Sequence, residues 1–97
     1  MYDYLIQPEA RTDIDDGRDW YESQQPGRGD EFLVEVAERI LEIREQPHVS
    51  CLISRRVRAV KLKRSKFIIY FMIVNNVVKI LAVQHARANP AKRFGRR

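Results

Sequence analysis

Residues 67–86 read FIIYFMIV-NN-VVKILAVQHA, and the fold turns on how this stretch is taken. Residues 67–74 are all apolar. That run is too short to span a bilayer, which needs about 20 residues, but it suits a strand covered on both faces. Asn75 and Asn76 tolerate the left-handed backbone of a two-residue hairpin. In the second segment Val78, Ile80 and Ala82 point one way, and Val77, Lys79, Leu81, Val83 and His85 the other. The stretch predicts a central hairpin whose second strand delivers His85 and Arg87 to one end.

Upstream, residues 1–7 alternate as a short strand, with Tyr2, Tyr4 and Ile6 on one side. Pro8 and Glu9 suit the first turn of a helix. Ala10, Ile14, Gly17 and Tyr21 recur at helical spacing, with Trp20 beside them. Gly17 costs about 1 kcal/mol there relative to alanine, a cost that close approach of a neighbouring helix would explain. Residues 24–29, QQPGRG, break the helix. Asp30 can cap a second helix, whose apolar stripe runs through Phe32, Leu33, Val36, Ala37, Ile40, Leu41 and Ile43 to a stop at Pro47. Residues 48–54 read as a connection or a strand entry. Val60 and Leu62 then alternate with Lys61 and Lys63 as a strand; before Val60 the alternation is mixed, which leaves room for a bulge. Ser65-Lys66 makes the next turn. Asn89 and Pro90 can open a short helical turn before the basic tail.

The order is β-α-α-β-β-β. This predicts an α+β fold, an antiparallel sheet with a helix hairpin packed on one face. Val78, Ile80 and Ala82 are expected to face the helices. Lys61, Lys63, Lys79, His85 and Arg87 would then form an opposite, working face.

Ninety-seven residues suit one domain, 1–97, with 88–97 as its basic tail. The single Cys51 excludes an internal disulfide and suits a reducing compartment. No signal-like run opens the chain, so the expected location is cytoplasmic, with no membrane contact. Charge is sharply divided. Residues 1–50 hold thirteen acidic and five basic residues, a net of −8. Residues 51–97 hold thirteen basic and no acidic residues, a net of +13. The expected partner is anionic, a nucleic acid or an acidic protein segment, with mutual neutralisation of the two halves as the alternative. Four aspartates within residues 13–19 lack the spacing of a calcium loop and read as a solvated helix face. The Pro-Gly-x-Gly turn has no following GKS/T and holds no phosphate. No metal or cofactor is expected.

The whole set resembles the RelE/ParE toxins of type II toxin–antitoxin modules. The resemblance rests on Ala10-x-x-Asp13-Ile14, on Trp20-Tyr21-Glu22-x-Gln24-x-Pro26-Gly27-x-Gly29, and on Phe32-Leu33. Pro47, the 67–71 strand and Ile80-Leu81-Ala82-Val83-x-His85-x-Arg87-x-x-Pro90 complete it. These run in order through almost the whole chain and look most like the ParE-like, or plasmid stabilisation, branch. The resemblance implies a growth-inhibiting toxin neutralised by a cognate antitoxin within a hetero-oligomer. RelE-like members of this family cut mRNA on the ribosome. ParE-like members poison DNA gyrase.

RNA cleavage would need a base for the 2′-OH, cations for the phosphorane and an acid for the leaving oxygen. His85 is the candidate base or acid, with Arg87 beside it. Lys61, Lys63, Arg64, Lys79, Lys92 and Arg93 are the candidate target-binding or nucleic-acid-binding cations. The nuclease set is incomplete by the resemblance. Ile68 stands where those nucleases carry a strand arginine, and Phe94 cannot replace their proton-carrying tyrosine. Some nuclease relatives carry a terminal histidine, which His85 matches. A structural or partner-contact role for His85 is the competing reading, and an ion pair with a helix carboxylate is the one for Arg87. The expected function is therefore an inhibitory ParE-like toxin that binds DNA gyrase. A ribosome-dependent mRNA endonuclease is the alternative, and a non-toxic interaction module the third.

Overall fold

The computed structural model describes residues 1–88. The expected cap at Asn89, the turn at Pro90 and the tail cations Lys92 and Arg93 lie outside the described residues. The elements are β1 (Asp3–Ile6), α1 (Pro8–Gln24), α2 (Arg28–Glu45), a 3-10 turn (Pro47–Val49), β2 (Cys51–Leu52), β3 (Arg58–Lys61), β4 (Phe67–Val74) and β5 (Val77–His85). The expected helix pair and central hairpin are present, and β2 is an additional short edge strand. The five strands lie in the order β1-β5-β4-β3-β2. β2 to β5 are antiparallel to their neighbours, whereas β1 runs parallel to β5, so the sheet is mixed rather than antiparallel throughout. Parallel neighbours need a long connection, and here everything from α1 to β4 lies between them.

Asn75 and Asn76 take φ of 52° and 64°, the conformation a tight hairpin demands. Between Tyr70 and Phe71 the β4–β5 register slips. Phe71 pairs with Ile80 and Tyr70 with Ala82, so Leu81 has no partner on β4. This bulge lies in β5, not before Val60, and it inverts the alternation beyond it. Val78 and Ile80 pack with the helices as expected. Ala82 does not: it joins Val57 and Tyr70 on the other side of the sheet, while Val83 enters the helix-facing core.

The helices meet through an aromatic wedge. The Phe32 ring of α2 lies 5.3 Å from Tyr21 and 5.0 Å from Phe67, centroid to centroid. A Cβ on Gly17 would come within 2.8 Å of that ring. The glycine thus admits the wedge, which accounts for its place in a helix. α2 starts at Arg28, two residues before the expected cap, Asp30. Its N-cap is Gly27, at φ 94°, and the capping oxygens come from α1: the Glu22 carboxylate accepts the N–H groups of Gly27 (3.1 Å) and Gly29 (3.0 Å). These backbone hydrogen bonds hold the Glu22 carboxyl below its ordinary pKa.

A second carboxylate fixes the loop between β3 and β4. Glu35 is only 6% exposed and accepts the N–H of Arg64 and both the N–H and hydroxyl of Ser65. Burial opposes its ionisation. The hydrogen bonds from Arg64 and Ser65, with the Arg64 charge, outweigh that and lower its pKa.

Two outcomes follow. Gly17→Val forces the wedge apart and should destabilise the fold by about 1–3 kcal/mol in thermal unfolding. Unchanged stability would mean that Phe32 yields freely. Glu35 is more acidic folded than unfolded, so its contribution is complete above the reference pKa of 4.5 and is lost as pH falls through the folded value. In urea unfolding, wild type should exceed Glu35→Gln by about 1–3 kcal/mol at pH 7, and the gap should narrow towards pH 3. A gap that does not change with pH would contradict an ionised clamp.

Candidate functional site

The bulge decides where His85 points. Its ring stands edge-on to Phe67, at 5.5 Å and 74°, on the helix side of the sheet. Its Nδ1 accepts the Arg87 N–H at 3.1 Å, which leaves Nε2 as the protonated nitrogen of the neutral ring. Arg87 itself is exposed beyond the strand and forms no ion pair with a described helix carboxylate. Lys61 alternates with the inward-packed Val60, and Lys79 with the buried Val78 and Ile80, so both lysines lie on the helix-free face. The expected working face therefore does not form: the sheet itself separates His85 from Lys61 and Lys79. Lys63 is not on a strand at all. β3 ends at Lys61, Leu62 is buried in the core, and Lys63 sits in the loop with Nζ 3.4 Å from the Glu42 carboxylate.

What the structure does assemble is a basic rim at one end of the sheet. The Ala86 N–H donates to the Lys66 carbonyl at 2.8 Å, and the Lys66 N–H to the Tyr21 hydroxyl at 3.3 Å. The loop carrying Arg64 and Lys66 is thus tied to the turn carrying Arg87, with Glu35 holding it from behind. Arg64, Lys66 and Arg87 are exposed there. Lys61 lies just around the corner, opposite Ile68 and hydrogen-bonded through its carbonyl to Arg39 Nε (3.0 Å). Lys79 is at the far end, opposite Met72.

This arrangement can hold an anionic surface by charge, and it keeps His85 apart from the face lysines Lys61 and Lys79. His85 and the face lysines would have to act from opposite sides of a sheet, whereas acid–base catalysis needs them within hydrogen-bond reach of one substrate. Among the described residues no cluster of three or more His, Cys, Asp or Glu is disposed to hold a metal, and no helix is long and apolar enough to cross a membrane. Asp13 is not part of a solvated face: its carboxylate accepts the Val83 N–H at 2.9 Å, where β5 has run past the end of β1.

Sequence reasoning gave no site role to Lys66 or Glu35 and missed the cleft beside Trp20; a groove on the helix pair, by contrast, is what an amphipathic helix pair suggests. Glu35 could have been noticed as a charge on the buried stripe, three residues after Phe32. One cleft, about 350 Å³, runs between α1, α2 and β1 and is lined by Tyr4, Arg11, Ile14, Leu33, Ala37 and Leu41. Leu41 and Tyr4 are about half exposed beside it. The other, about 440 Å³, lies on the opposite side of α1, between that helix and the ends of β4 and β5.

The sequence matches the family model described as ParE toxin of type II toxin–antitoxin system, parDE, over residues 4–90. No curated protein matches it. The fold is similar to a chain of the chromosomal ParDE toxin–antitoxin system from P. aeruginosa, with a TM-score of 0.78 at 18% identity, over 88% of this chain and 96% of that one. It is also similar to a chain of the intact E. coli RelBE toxin–antitoxin complex, with a TM-score of 0.67 at 15% identity, over 91% and 100%. The isolated E. coli RelE toxin gives 0.67 at 14% identity, over 95% and 92%. At such identities the structures testify to the fold, and the sequence match through almost the whole described chain supplies the rest: this protein belongs to the ParE toxin family of type II toxin–antitoxin systems.

Proposed function

We propose that this toxin arrests growth by binding DNA gyrase, without nuclease chemistry of its own, and that a cognate antitoxin neutralises it in a hetero-oligomer in the cytoplasm. The observation that carries this reading is the placement of His85 across the sheet from Lys61 and Lys79. A binding protein needs only the exposed rim of Arg64, Lys66 and Arg87, whose charge attracts an anionic surface without a catalytic pair. Gyrase engaged with DNA presents such a surface. Arg87 and Lys61, together with the tail cations Lys92 and Arg93, belong to the contact in this proposal, and His85 orients the Arg87 turn.

The antitoxin has a natural seat in the cleft between α1, α2 and β1. Val34, Ala37 and Leu41 form a solvent-facing stripe on α2 at helical spacing, next to Tyr4. An amphipathic helix laid into this cleft covers the stripe. The similar ParDE and RelBE chains come from toxin–antitoxin assemblies, which supports a partner of this kind.

Purified toxin at micromolar concentration should inhibit gyrase supercoiling, and Arg64→Gln with Lys66→Gln and Arg87→Gln should weaken inhibition about tenfold or more, with a strong dependence on salt. Uninhibited supercoiling accompanied by codon-dependent mRNA cleavage in primer extension would overturn the reading in favour of an endonuclease. Normal growth under full induction of soluble protein would reduce the chain to an interaction module. Separately, Leu41→Glu should weaken capture of the cognate antitoxin by at least about tenfold. Unchanged affinity would place the antitoxin elsewhere.

A further inference from the structure

The cleft between α1 and the ends of β4 and β5 is not used by the proposed gyrase contact. Its walls are Trp20 from α1 and Phe67, Val83, His85 and Ala88 from the strands and the turn that follows. Gly17 of α1 forms part of its floor. Asp13 and Asp16 stand on the rim. Asp13 is engaged by the Val83 N–H, whereas Asp16 is exposed and has no ion-pair partner among the described residues. Trp20 is 51% exposed, an unusual position for the largest aromatic side chain unless something covers it. About 440 Å³ is at the lower end of the range of small-ligand pockets, roughly 300–1,000 Å³.

The chemistry of the lining selects its occupant. Aromatic and aliphatic walls suit a methylene stem or a flat apolar group. The carboxylate rim favours a positive head and repels a phosphodiester, so the stacked base of a nucleic acid is disfavoured although Trp20 and His85 could flank one. A cation held over an indole face gains further from the ring quadrupole. We infer that this cleft receives a single lysine or arginine side chain from the antitoxin, its stem against Trp20 and Phe67 and its charge at Asp16. Naming the antitoxin rests on the proposed function, but the cation pocket itself does not. The cleft and the cleft between α1, α2 and β1 flank α1 from two sides, so one partner wrapped around that helix can fill both. Such a partner needs a basic residue for the Trp20 cleft and acidic ones for the neighbouring rim of Lys66 and Arg87.

Trp20 is the only tryptophan in the chain, so its fluorescence reports on the cleft directly. The full-length protein is titrated with the blocked tripeptide acetyl-Leu-Arg-Leu-amide and with its citrulline twin, which keeps the shape and loses the charge. The arginine peptide should shift the Trp20 emission and bind at least about fivefold tighter than the twin. Asp16→Asn should reduce that preference to about twofold or less, while Asp15→Asn, outside the cleft, should leave it intact. Equal affinity for the two peptides, or an unmoved Trp20 spectrum, would overturn the proposal. So would a Trp20 response to adenosine monophosphate in place of the peptide, which would make the cleft a nucleobase site. Tighter peptide binding in the Arg93→Gln, Arg96→Gln, Arg97→Gln variant would assign the cleft to the chain's own basic tail. Finally, the arginine peptide should compete with the antitoxin for Trp20 of the purified protein. Peptide binding without competition would remove the antitoxin as occupant. None of these readouts involves gyrase, so they fail or succeed independently of the toxin's target.

Discussion

β5 holds one more residue than β4 can pair with, and the surplus falls at Leu81. A sheet side chain has only two directions, so one unpaired residue reverses every direction after it. Up to Ile80 the strand supplies the helix-facing core with Val78 and Ile80. After Leu81 the same core is served by Val83 and then by the Phe67–His85 contact, while Ala82 turns to a smaller cluster with Val57 and Tyr70. The histidine with the most suggestive position in the sequence therefore ends beside α1, in a wall of apolar side chains, and not among the lysines.

The acidic first half of the chain is more than a counterweight to the basic second half. Three of its carboxylates work on backbone N–H groups. Glu22 starts α2, Asp13 caps β5 where β1 no longer reaches, and Glu35 holds the loop before β4. Asp13 and Glu35 accept from donors far along the chain and fasten the helices to the sheet, while Glu22 joins one helix to the next. Few neutralise the cations directly. Of the described ion pairs, only that of Lys63 with Glu42 reaches a residue of the second half. The positive field of that half is consequently left for a partner, with Arg64, Lys66 and Arg87 held at one end by the loop contacts.

The same fold is found in ParDE and RelBE chains, and one fold hosts more than one function. The difference has to be sought in which groups share a surface. Here Arg64, Lys66 and Arg87 stand exposed on segments tied together at one end of the sheet, and His85 is turned away from the face lysines. A binding function follows more readily from that arrangement than a catalytic one. The two clefts beside α1 give the molecule apolar contact surface that the rim lacks, which suits a partner held by both charge and burial.

Much of this was legible in residue order alone. The hairpin at Asn75-Asn76, the helix pair broken at Pro26-Gly27, the close approach at Gly17 and the division of charge all depend on local conformation or on composition, and these a single chain displays directly. The family pattern was legible for the same reason, being an ordered set of such local features. Tertiary structure decided what depends on pairing partners. It alone made β1 parallel to β5, ended β3 before Lys63, gave Glu35 its hydrogen bonds and sent His85 to the helix side. Alternation along one strand predicts facing only while each residue has an opposite number on the next strand. Where the neighbour fails to match one residue, as β4 does at Leu81, the strand's own pattern carries no record of the reversal.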